Sequence, residues 1–221
     1  MKLYKLTDQD GYTRRGQTGE TQWTAGMTIT KPRKNNPQLC SNDVVHATRG
    51  LELALLLNPN QAAISNPQPW EAEGEPVVYD YGKVGCLELT TVKKLPVPAW
   101  FLDSTITRRV RVRFAILCAR TVLPVFEAKY PQDKRAGAAI EAAERWLDGR
   151  ASSSELRDAA AYAAYAAYAA AAAAAYAAAA AAADAYAYAA AAAAASRAKK
   201  SEIDFAALAK QAVAAEEGNP L

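Results

Sequence analysis

Between positions 159 and 195 the chain is built from 30 alanines, six tyrosines and one aspartate, and no other stretch of its 221 residues restricts the fold as much. Alanine has the highest intrinsic helix propensity, and neither glycine nor proline interrupts the sequence from Ala151 to Glu217. The block is therefore read as helix. Ser152 followed by Glu155 has the spacing of a capping box and sets the start. An unbroken helix from Glu155 to Ala198 would be about 66 Å long, against a diameter of about 44 Å for a globule of this size. Either the rod packs against another copy or it folds back on itself. The fold-back is favoured, near Asp184, which can cap a second helix and gives expected helices near 153–183 and 185–198.

At about 100° per residue, Tyr162, Tyr165, Tyr168, Tyr176 and Tyr186 share an arc of about 120°, and Tyr188 lies outside it. Alanine over the remaining surface lets helix axes approach closely. The stripe is read as the large core groups of a tight bundle, with an aromatic ligand groove that includes Tyr162 and Tyr165 as the functional alternative. The block contains no Leu, Ile, Val or Phe, the residues that drive bilayer insertion, so no membrane association is expected.

The alanines inflate the hydrophobic content to 51%, and outside them the composition is ordinary for a globular protein. Net charge is +3, divided as +5 over residues 1–150 and −2 over 151–221, too diffuse to argue for duplex nucleic acid. Three widely spaced cysteines and a single histidine argue against a disulfide framework or a structural zinc, and no cofactor is expected. The N-terminal segment has no apolar h-region, so the expected compartment is the cytoplasm.

Residues 1–100 read as a β-rich domain with one short helix. Lys2–Thr7 alternates, Asp10-Gly11 signals a turn, and Gln22–Thr30 continues a meander. Asp43–Thr48 looks like a strand entering a helix over Leu51–Leu57 that stops at Asn58-Pro59. A proline-rich loop, Asn58–Pro69, comes next, then strands at Pro76–Tyr81 and Val84–Leu95. Residues 101–221 read as an α-helical bundle, because from Asp103 the apolar period changes from two to about 3.6. Besides the alanine block, helices are expected near 104–130, 135–148 and 202–217, with Pro124 marking a kink or seam in the first. The expected fold class is α+β: a small antiparallel β-rich domain followed by an alanine- and tyrosine-rich helical bundle.

Catalytic motifs are missing. There is no Walker loop, no G-x-G-x-x-G and no G-x-S-x-G elbow. Binding chemistry is better supplied. Arg14 and Arg15 lie in a glycine-bounded turn whose N–H groups suit phosphate, and Arg109 and Arg113 belong to the densest basic run, where guanidinium forks can read an anion. Trp23 and Trp70 supply aromatic surface in the same half as Arg14 and Arg15. His46, at a strand-to-helix junction, is read as structural, with a role in orienting a ribose beside Glu71 or Glu73 as its functional alternative.

The run Arg113-Phe114-Ala115, Leu117-Cys118-Ala119, Val122-Leu123, Phe126-Glu127, Tyr130-Pro131, Asp133, Arg135 and Ala139-Ile140-Glu141-Ala142-Ala143 to Trp146 resembles the start of a family of immunity-protein-like helical regions in bacteria and their phages. The similarity covers roughly residues 105–200 and departs from the pattern at Ala136-Gly137, where a proline is common. Residues 1–95 are similar to an uncharacterised phage domain, through His46-Ala47 with the following leucine-rich helix and through Glu71-Ala72-Glu73-Gly74. A weaker similarity links the histidine-and-strand layout to ADP-ribosyltransferase-like folds. The resemblance implies a phage or mobile-element setting.

Together these features lead to the expectation of a non-enzymatic binding protein that sequesters a small anionic, nucleotide-like signal or blocks a host defence protein. An ADP-ribosyltransferase-like enzyme using His46 is the second expectation. A structural protein assembling through its alanine helices is the third, and a homo-oligomer is expected.

Overall fold

The computed structural model describes residues 1–218 apart from 40, 81, 156–157 and 159–202. Backbone proximity divides the chain into Met1–Leu102 and Asp103–Leu221. The first unit is an antiparallel β-sheet and the second is helical, an α+β architecture. The alanine block, with its expected fold-back and with Tyr162 and Tyr165, lies outside the described residues. Its entrance is described: Ser152 N–H donates to Glu155 Oε2 at 2.7 Å and Glu155 N–H to Ser152 Oγ at 3.2 Å, the two reciprocal bonds of a capping box.

In the first unit the strands are β1 (Lys2–Thr7), β2 (Tyr12–Thr13), β3 (Thr21–Gln22), β4 (Thr28–Thr30), β5 (Val45–Thr48), β6 (Gln68–Tyr79) and β7 (Lys83–Lys94), with helix α1 (Leu51–Gln61) between β5 and β6. The sheet order is β4-β7-β5-β1-β6, and β6 also pairs with β7, so β7, β5, β1 and β6 form a closed ring. Leu3, Trp23, Val45, Ala47, Ala72, Val84, Cys86 and Leu89 form the core of this unit. Strand alternation explains the set, since Leu3 is in register with Ala72, Val45 with Cys86 and Ala47 with Val84. The ring demands small residues where backbones close up. A Cβ on Gly85 would lie 2.5 Å from Val44 Cγ2 and 2.9 Å from Val78 Cγ1, and Gly11 has φ +93° with Trp23 O 2.7 Å from a would-be Cβ.

Two boundaries differ from the sequence reading. Helix α1 continues past Asn58-Pro59 to Gln61, and the hydrogen bonds that close its end go to Asn58. The Asn58 carbonyl accepts from Ala62 and Ala63 N–H, while its amide Nδ2 donates to Ile64 O and its Oδ1 accepts from Ile64 N–H. Asn58 thus acts as a local terminator. Strand β6 begins at Gln68, eight residues before the expected start, because β1 supplies a partner along its whole length from Lys2↔Glu73 to Thr7↔Gln68. Non-local pairing recruits a segment whose prolines suggested a loop.

After a short helix, α2 (Ala99–Leu102), the second unit contains α3 (Ser104–Lys129), α4 (Arg135–Leu147) and α5 (Phe205–Glu217). Asp103 caps α3, accepting from Thr105 N–H at 2.8 Å and Ile106 N–H at 3.0 Å. Removing this acceptor as Asp103→Ala should cost about 1 kcal/mol, read as a lower urea midpoint; an unchanged midpoint would show the cap to be energetically idle. Pro124 lies inside α3, exposed, and the helix continues through it to Lys129.

Val112, Ile116, Ala119, Leu123 and Phe126 form one face of α3 and pack with Ala136, Ile140, Ala143 and Leu147 of α4. Val110 and Phe114 are also buried, and the Phe114 ring meets Phe205 of α5 edge-on at 6.3 Å. Helix α3 is therefore covered on more than one side. None of the described helices is long and apolar enough to cross a membrane.

Candidate functional site

Lys5 marks the site. Period-two alternation puts it on the same face of β1 as Leu3 and Thr7, both fully buried. Strand β1 is in register with β5 at Tyr4↔Thr48, and beside this pair the Lys5 ammonium donates to the His46 carbonyl at 2.9 Å. The ammonium also lies 5.0 Å from the centroid of the Trp23 ring, a cation–π contact.

The charges that act on Lys5 are mostly positive. Burial, and then Lys83, Arg14 and Lys31, bring its pKa down to about 8, with only Cys86 acting in the opposite sense among the leading influences. His46 experiences the same field. Its burial, followed by Lys83, Lys5, Arg14 and Lys31, lowers it to about 4, so the imidazole is neutral at pH 7. Besides Lys5 on β1, the positive charges that act here come from Arg14 after β2, Lys31 after β4 and Lys83 on β7. Arg14 adopts φ 55° and donates to Thr18 O and Asn42 Oδ1, both uncharged and both at a long 3.4 Å. Among the described residues, Lys5, Arg14 and Lys31 have no carboxylate partner. The arrangement is suited to an anion.

Of the residues singled out in the sequence, Arg14 and His46 belong to this group. Arg15 does not share its electrostatics: it is bonded to Asp8 and Asp10, each at 2.6 Å, and lies over the Tyr12 ring. Its guanidinium holds the Asp8 carboxyl below the usual range. Trp23 and Trp70 are 3% and 2% exposed, and their indole N–H groups donate to Thr13 Oγ1 and Thr7 Oγ1. They serve the interior of the ring, where Trp23 borders the site through Lys5. Glu71 pairs with Lys2 at 2.9 Å and lies 3.9 Å from Lys93, and the Lys2 bond holds its carboxyl low. Sequence reading missed Lys5, Lys31 and Lys83. A charged residue at the inward position of an alternating strand is the signal that would have found Lys5.

Burial pushes the Cys86 thiol up to about 11 and the Cys118 thiol higher still, so neither is a thiolate near neutral pH. Among the described residues no group of three or more His, Cys, Asp or Glu is placed to hold a metal ion.

In the helical unit, Arg109 and Arg113, four residues apart on α3, converge on Glu216 of α5. Arg109 Nε donates to Glu216 Oε2 at 2.6 Å and its Nη1 to the Leu147 carbonyl at 2.8 Å; Arg113 donates to Glu216 Oε1 at 2.5 Å. The Glu216 side chain is 1% exposed. Residues 103–219, more than half of the chain, match the Imm-5 like putative immunity protein family. The chain belongs to this family. Neither a curated protein nor a solved structure gives a significant match. The immunity-family region carries the Glu216 clamp and all three long described helices of its unit, and the cationic group lies in the preceding sheet.

Proposed function

We propose that this chain is a binding protein that works by sequestration, with no catalytic step, and that the cationic end of the β-ring takes hold of an anionic target. The observation that carries this reading is the half-buried Lys5 ammonium, held on the His46 carbonyl at 2.9 Å and over the Trp23 ring at 5.0 Å, where the charged groups that act on it most, Lys83 and Arg14, are positive. Such a group raises the local concentration of anions and holds them by charge-assisted hydrogen bonds. The immunity-family region supports it, since immunity by definition is neutralisation of another agent. In the phage or mobile-element setting implied by the resemblance, the target is a nucleotide-like immune signal or the acidic surface of a defence protein in the bacterial cytoplasm.

Titration calorimetry with cyclic and linear nucleotides, alongside co-purification with candidate defence proteins, tests the proposal. The Arg14→Ala/Lys83→Ala double variant should bind at least tenfold more weakly than the parent, and affinity should fall with added salt. Equal affinity in both proteins, or no anionic target of either kind, would remove the reading.

A further inference from the structure

We draw no further inference here: the strongest candidate, the outer face of β6 on which Glu73, Glu75, Val77 and Tyr79 are exposed at alternate positions, carries nothing because Glu75 already lies 3.8 Å from the N-terminal ammonium, Arg49 already lies over the Tyr79 ring, and nothing in the structure shows what covers the face.

Discussion

Replacing Glu216 with alanine is expected to lower the unfolding free energy by about 3–5 kcal/mol. The carboxylate is 1% exposed and receives donors from two guanidinium groups that are themselves only 16% and 27% exposed. Its removal leaves two like charges side by side in a poorly solvated place, and that uncompensated burial is the source of the cost. The loss is a large share of the roughly 5–15 kcal/mol that holds a typical domain together. Urea denaturation followed by circular dichroism measures it. A second variant isolates the cause: changing Arg109, Arg113 and Glu216 together to apolar residues of similar volume should recover most of the loss, since a buried ion cluster is often no more stabilising than well-packed hydrocarbon. A loss below about 1 kcal/mol for Glu216→Ala would mean that water reaches the clamp and that the pair behaves like a surface ion pair.

Trp70→Ala is expected to cost a similar about 3–5 kcal/mol, from the β-ring. The indole is 2% exposed, its N–H is bonded to the fully buried Thr7 hydroxyl at 2.9 Å, and Lys94 lies over its ring at 5.3 Å. Alanine would create a cavity and leave the Thr7 hydroxyl with its bond to the Asp8 carbonyl at 2.8 Å but without the indole donor. Trp70→Phe keeps most of the ring's volume and should cost less. The comparison separates a core role from a ligand role. If Trp70 belongs to the interior, the folded fraction of either variant should bind anion with parental affinity. Weakened binding by a fully folded Trp70→Phe protein would instead make the indole part of the site.

Much of the helical unit was legible because its signals are local. The start of α3 after Asp103 and its end at Lys129 follow from residues within one turn of each boundary, whereas α5 begins at Phe205, three residues after the expected position 202. The sheet was legible only in part. Strand β6 is set by six paired positions with β1, some 60 to 70 residues away in sequence, and no local propensity reports that partner. The candidate site was harder still. Arg14 and His46 stand out singly, but the pairing of β1 with β5 is what puts the Lys5 ammonium on the His46 carbonyl, and no local signal reports that pairing. Arg109 and Arg113 show the converse: a basic run that invites an anion from outside is met by a carboxylate of the same chain, 107 and 103 residues further on.

The closed ring also bears on behaviour at high concentration. Unpaired strand edges are templates for pairing with other molecules. In the five-stranded sheet β4 is the strand with a neighbour on one side only, and it is three residues long, Thr28-Ile29-Thr30, with Lys31 directly after it. Such a stub gives an incoming strand few backbone bonds and a nearby charge to bury. The five-stranded sheet therefore carries its own protection against edge-to-edge pairing with a second copy.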